Sequence, residues 1–274
     1  MSTKSNLSLL FFLCLGILLV APCQAQESWK ITRDILYYEN DSVAKDPYVK
    51  QQCNLDIYHP TDSLNAPVVI WFHGGGLTSG KKQIPDGLKK QGLIIVGVGY
   101  RLSPKVKAES CIDDATAAVA WVLNHINNYN GNTKKVFVSG HSAGGYLAAM
   151  TVMDTTRLAA YDLDANEIAG LIPFSGHTIT HFTIRKQRGI EGTQPIIDEF
   201  APLFYVRAKA PPILLLTGDR EKELLGRYEE VAYFYRMLKV AGHQDVTLYE
   251  LEGYGHQMVV PGLPLLIEFV KARN

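Results

Sequence analysis

Several stretches of this chain run apolar without a polar break, at lengths that suit strands better than helices. Val68–Phe72, Leu93–Val98, Val136–Val138, Ile168–Phe174 and Ile213–Leu216 are of this kind. A strand covered on both faces reads this way because neither side of its pleat meets water, and parallel sheets are built from such strands. Val246–Leu251 alternates instead, as a last strand with one wetter face would, and Ile31–Tyr38 with Leu55–His59 predict an antiparallel leading pair. Between the runs, apolar residues recur at helical spacing over Ile112–Asn127, Ser142–Met153, Glu223–Val240, which stops before Gly242, and Leu263–Ala272. Strand and helix in alternation predict the α/β class, with a mainly parallel central sheet of about eight strands and helices on both faces. Residues 177–200 have no clean period. Lying between two central strands, they are expected to form a small lid-like insertion over the sheet edge.

Chemistry enters at Gly140-His141-Ser142-Ala143-Gly144, which follows the Val136–Val138 strand and opens a helix. A serine hydroxyl becomes a useful nucleophile when a tight strand-to-helix turn pushes it out of the fold, and G-x-S-x-G is the signature of that turn. The flanking glycines are needed because a side chain there would collide where the chain doubles back. A second glycine-rich turn, His73-Gly74-Gly75-Gly76, follows the Val68–Phe72 strand. The N–H groups of Gly75 or Gly76, with that of Ala143, are expected to form an oxyanion hole. A phosphate loop is the competing reading of this turn, but no Lys-Ser or Lys-Thr pair follows at the required spacing.

An acid and a base should follow the serine in the order Ser, Asp or Glu, His. Asp219 stands at the end of the Ile213–Leu216 strand, and His256 on the loop Glu252-Gly253-Tyr254-Gly255 after the last strand. The expected triad is therefore Ser142, Asp219 and His256, with His256 as base and Asp219 holding its tautomer. Asp219 taken alone would be a helix cap, and Glu221 and Glu223 stand as substitutes. His177, His181 and His243 are rival histidines that packing or a helix exit would explain. His141 is expected to pack beside the elbow and His73 to shape its own turn. No cofactor or metal is implied.

The two motifs, with Tyr100-Arg101-Leu102-Ser103-Pro104 and the helix opening Asp113-Asp114-Ala115-Thr116-Ala117-Ala118-Val119-Ala120-Trp121 between them, resemble the α/β-hydrolase esterases of the hormone-sensitive-lipase-like group. The chain is also similar to small secreted bacterial esterases that deacylate plant polysaccharides. The resemblance implies an α/β-hydrolase fold and a serine esterase acting on short-chain or aromatic acyl esters, acetyl or feruloyl groups on carbohydrate among them. Leu77 departs from the aromatic residue that many relatives carry there, and no long N-terminal cap segment precedes the first strands, so long-chain lipids fit poorly. Two other functions share the scaffold: an amide-bond hydrolase, a peptidase or formamidase using the same triad, and a non-catalytic binding module. The basic cluster Arg185, Lys186 and Arg188 would suit either an acidic substrate or a solvated face.

Lys4 and the apolar run from Leu9 to Leu19, ending in Val20-Ala21-Pro22-Cys23-Gln24-Ala25, read as a signal peptide over residues 1–25. A secreted or periplasmic protein is expected, with no membrane span after cleavage. A lipid anchor on Cys23 is the alternative, which Pro22 disfavours. Cys53 and Cys111 then remain, open to being a disulfide or two thiols. With 274 residues, 47% hydrophobic and 20% charged, residues 26–274 can bury one large core and are expected to form a single catalytic domain. Lys+Arg and Asp+Glu each total 27, so no basic surplus is available for nucleic acid, and the expected partner is a small-molecule or carbohydrate-linked ester.

Overall fold

The structure, a computed structural model, describes residues 28–38, 45–61 and 65–273. The signal peptide read at residues 1–25, with Cys14 and Cys23, lies outside the described residues. The strands are β1 (Trp29–Leu36), β2 (Asn54–Pro60), β3 (Ala66–Phe72), β4 (Ile94–Val98), β5 (Gly131–His141), β6 (Gly170–Phe174), β7 (Ile213–Gly218) and β8 (Val246–Leu251). They form one eight-stranded sheet in the order β1-β2-β4-β3-β5-β6-β7-β8. β2 pairs antiparallel with both β1 and β4, and every pairing from β4 through to β8 is parallel.

The helices are α1 (Pro47–Gln52), α2 (Ala108–His125), α3 (Ala143–Met153), α4 (Thr155–Ala159), α5 (Phe182–Gln187), α6 (Arg227–Val240) and α7 (Val259–Lys271). Alternate residues of β3 enter opposite layers. Val68, Ile70 and Phe72 pack with α2 and α3, while Val69 and Trp71 pack with Phe137, Ile172 and the α7 residues Leu263, Leu266 and Phe269. Both faces are thus dry, which is why the strands read as unbroken apolar runs. Each fully buried side chain of this size contributes about 1.5–3 kcal/mol.

The element bounds depart from the sequence pattern where tertiary bonds decide them. β5 begins at Gly131, well before Val136, because Gly131 pairs with Ala66 of β3, and the register then shifts across Asn132–Lys135 before Val136 pairs with Val68. α2 begins at Ala108 because its first N–H donates to Gln187 Oε1 at 2.9 Å, a cap supplied by the insertion. α6 begins at Arg227 behind Gly226, so Glu223 lies in the preceding turn.

Cys53 and Cys111 are separate buried thiols. The Cys53 thiol donates to Asp114 Oδ2 at 3.4 Å and the Cys111 thiol to the Arg101 carbonyl at 3.1 Å. Burial first, and then the Asp114 charge, push both up to about 12. Asp114 also accepts from Tyr38 Oη at 2.6 Å and from Arg101 Nε at 2.8 Å, tying the Tyr100–Pro104 segment to α2.

Candidate active site

The parallel strands end together, and the loops that leave their carboxyl ends carry the polar residues. Ser142 sits between β5 and α3 at φ +55°, a conformation strained for a residue with a Cβ. The elbow is held by the Ser142 N–H, which donates to the Phe174 carbonyl at 2.8 Å. A Cβ at Gly140 would stand 2.6 Å from the Gly144 carbonyl group, and one at Gly144 would stand 2.1 Å from the Phe72 oxygen. Both positions therefore require glycine.

The loop after β3 lies alongside. A Cβ at Gly74 would lie 3.4 Å from the Ser142 Cβ, which sets the glycine turn beside the nucleophile candidate. Gly76 and Leu77 have φ of +63° and +62°, as a type I′ turn requires at its centre, and the Thr78 N–H closes that turn on the Gly75 carbonyl at 3.0 Å. Among the described residues the Gly75 and Gly76 N–H groups have no protein acceptor. The Ala143 N–H is in the first turn of α3, where backbone donors have no intrahelical partner.

His256 reaches Ser142 from the loop after β8. Its Nε2 is 2.9 Å from Ser142 Oγ, and its Nδ1 is 2.6 Å from Glu223 Oε1. A carboxylate at Nδ1 keeps the proton there, which leaves Nε2 to accept from the serine hydroxyl. The carboxylate at this position is that of Glu223, and the expected Asp219 does not reach His256. The chain leaving β7 makes one turn, with the Glu223 N–H donating to the Asp219 carbonyl at 2.8 Å, so the side chain four residues on swings back over the strand end. Glu223 is buried, whereas Asp219 stays at the surface. The Asp219 carboxylate accepts the Glu221 and Gly253 N–H groups at 2.9 and 2.8 Å, and its own N–H donates to the Tyr254 carbonyl at 2.7 Å. It staples the β7 exit to the His256 loop. The Gly253 and then the Glu221 N–H lower its pKa. Glu221 is exposed and touches neither partner.

Burial works to raise the Glu223 pKa, but bonds from His256, the Ser175 hydroxyl and the Leu224 N–H outweigh it and hold the carboxyl at about 2. Ser175 Oγ lies 2.5 Å from Glu223 Oε2 and 3.2 Å from His256 Nδ1. Its carbonyl accepts from buried Arg227 Nη1 at 2.5 Å, and Arg227 Nη2 donates to His177 Nε2 at 2.6 Å. No sequence signal marks Ser175 or Arg227, since neither belongs to a local motif.

The remaining histidines have structural occupations. His141 Nε2 holds the His256 carbonyl at 2.8 Å, and burial lowers its pKa to about 4. His73 stacks on Tyr100 with ring centroids 4.2 Å apart, and its Nδ1 bonds the Gly74 carbonyl. His177 bonds Glu230, His181 accepts the Thr183 N–H at the start of α5, and His243 bonds the Pro211 carbonyl. The two arginines of the basic cluster are also engaged, while Lys186 is exposed. Buried Arg185 donates to the carbonyls of Thr180, Gly192 and Gln194, and Arg188 pairs with Asp198 and Glu109 while lying over the Phe200 ring. A surface groove of about 940 Å³ beside α7 is lined by none of Ser142, Glu223 and His256.

A mainly parallel sheet with a strained serine at the β5 elbow, faced by a histidine and a glycine-rich loop, defines the α/β-hydrolase fold. The chain belongs to the BD-FAE family, which it matches over residues 55–227. It is 28% identical over 226 residues to the probable carboxylic ester hydrolase LipM of Mycobacterium tuberculosis, covering 72% of this chain and 51% of that protein. Against the probable isoprenylcysteine alpha-carbonyl methylesterase ICMEL1 of Oryza sativa the identity is 26% over 228 residues, 72% of this chain and 52% of the other. The chain thus spans about half the length of these relatives. Among solved structures, esterase 2 of Thermogutta terrifontis phosphoramylated by tabun superposes with a TM-score of 0.68 at 23% identity, over 89% of this chain and 94% of that one. A truncated carbohydrate esterase from gut microbiota gives a TM-score of 0.71 at 16% identity, over 92% and 98%.

Proposed function

We propose that this protein is a secreted serine carboxylic-ester hydrolase that cleaves short acyl esters, carbohydrate-borne esters among them, through a Ser142–His256–Glu223 triad and an acyl-enzyme. The observation that carries the reading is the unbroken chain of contacts from Ser142 Oγ through His256 to the buried Glu223 carboxylate, at 2.9 and 2.6 Å. In the first step the Ser142 oxygen attacks the ester carbonyl and its proton passes to His256 Nε2. The imidazolium so formed is stabilised by Glu223, which stays ionised because its pKa is held at about 2. Negative charge collects on the former carbonyl oxygen, where the Ala143 N–H and those of Gly75 and Gly76 receive it. His256 then protonates the leaving alcohol. Water, activated by the same imidazole, releases the acid and restores the serine. The esterase relatives support the acyl-transfer class, and the apolar run over residues 9–19 supports export.

Short acyl groups suit the approach to Ser142. The insertion turns Ile184 into the core and leaves Phe182 as a single exposed ring against the Gly76 turn. We expect little apolar wall there to bury a long chain, which would contribute about 0.8 kcal/mol per methylene if fully covered. Across a p-nitrophenyl ester series, kcat/KM is expected to peak between acetate and butyrate and to exceed turnover of aminoacyl anilides. A maximum at decanoate or longer would reveal an acyl tunnel and overturn the substrate reading.

A further inference from the structure

The start of α5 grips the turn that carries the oxyanion donors. Thr183 Oγ1, in a buried side chain, donates to the Gly76 carbonyl at 2.6 Å. The Phe182 ring lies against the same glycine, so that a Cβ on Gly76 would stand 3.0 Å from its Cζ. From the other side, the Gly75 carbonyl accepts the Thr78 and Ser79 N–H groups, both at 3.0 Å, and their hydroxyls at 3.2 and 3.1 Å. The Gly75 carbonyl shares a peptide plane with the Gly76 N–H, and the Gly76 carbonyl reports the next plane. Holding both carbonyls fixes the two torsions of a residue that would otherwise sample a wide range of conformations.

The grip comes from a braced element. At the far end of α5, Gln187 bonds the Ala108 N–H at 2.9 Å and Ser103 Oγ at 2.8 Å. Within α5, Arg185 gathers three carbonyls of the insertion. The insertion is therefore anchored against the chain that follows the glycine turn, and its polar contact with that turn is a hydroxyl aimed at one carbonyl.

We propose that Thr183 is a positioning residue for the oxyanion hole: its hydroxyl fixes the Gly76 carbonyl so that the Gly76 N–H stays aimed at the space beside Ser142. The proposal rests on the acyl-transfer reading given above. Oxyanion donors stabilise charge only when they are oriented before it develops, so a loosened turn costs transition-state stabilisation while ground-state binding is spared.

Thr183→Val keeps the shape and removes the hydroxyl. It is expected to lower kcat on p-nitrophenyl acetate by about tenfold with KM within about twofold, and to weaken inhibition by a trifluoromethyl ketone, whose adduct carries the oxyanion, by a matching factor. Thr183→Ser should restore both. Thr183→Ala, which introduces no larger group, carries the same test should the valine variant fail to fold. Folded hydroxyl-less variants with wild-type kcat and wild-type ketone affinity would overturn the role of Thr183, and so would a serine variant as impaired as the valine one. If Ser142→Ala is inactive in the same assay, that failure belongs to Thr183 alone; an active Ser142→Ala would instead remove the acyl-transfer reading on which the proposal rests.

Discussion

Ser142→Ala is expected to lower kcat for p-nitrophenyl acetate by about 10⁴-fold or more, while circular dichroism and the melting temperature stay close to those of the wild type. The loss follows from chemistry that no other group at the site can supply. His256 Nε2 has Ser142 Oγ as its hydroxyl partner at 2.9 Å, and the donors of Ala143 and the glycine turn can only stabilise charge that a nucleophile has generated. Folding should survive because the Ser142 side chain caps no helix N–H and the elbow is held by its backbone bond to Phe174. Removing the Cβ hydroxyl leaves the φ of +55° unchanged in cost, since alanine tolerates that region no better than serine. Steady-state assay of purified enzyme checks the prediction, and turnover near wild type would sink the assignment.

The second large effect separates two carboxylates four residues apart. Glu223→Gln should cost about 10³–10⁴-fold in kcat, because the amide preserves the shape but removes the charge that stabilises the His256 imidazolium and fixes its tautomer. Asp219→Asn should remain within about tenfold of wild type, since its side chain only accepts two backbone N–H groups, one on each oxygen, and the amide oxygen can still keep one of them. Any loss in the Asp219 variant should appear as a lower melting temperature, through loosening of the His256 loop. Equal collapse of both variants in kcat, with stability retained, would contradict the division of labour.

The fold was legible because its strands are dry on both faces. Nothing subtler than unbroken apolar runs was needed for β3, β4, β6 and β7, and the glycines around Ser142 and after His73 mark turns whose steric demands are local. The expected neighbour of Ser142, His256, sits on a glycine loop after the last strand, which is a local signal of the same kind. The acid could not be settled that way. Asp219 stands where strand β7 ends, but the deciding event is the bond from the Glu223 N–H back to the Asp219 carbonyl, which brings Glu223 over the strand and leaves Asp219 outside. A pattern read along the chain ranks residues by their distance from the strand, whereas the fold ranks them by which way the following turn carries them. The insertion was opaque for a related reason. α5 has six residues and little periodicity, and what holds it are bonds to Gly76, Ala108 and Ser103, distant in sequence. Its arginines looked available for a substrate because their partners are carbonyls and a carboxylate in loops without a pattern, and Glu109 on α2, distant in sequence.

The central claim is that Ser142 Oγ is the atom that becomes acylated. Paraoxon tests it most directly: the attacking oxygen bonds to phosphorus, p-nitrophenolate departs, and the diethylphosphoryl group stays where the nucleophile was. Peptide mapping by mass spectrometry after complete inactivation should find one diethylphosphoryl group per chain, on Ser142, with none on Ser142→Ala treated in the same way. Full inactivation with Ser142 unmodified, or equal labelling of the alanine variant, would contradict the account.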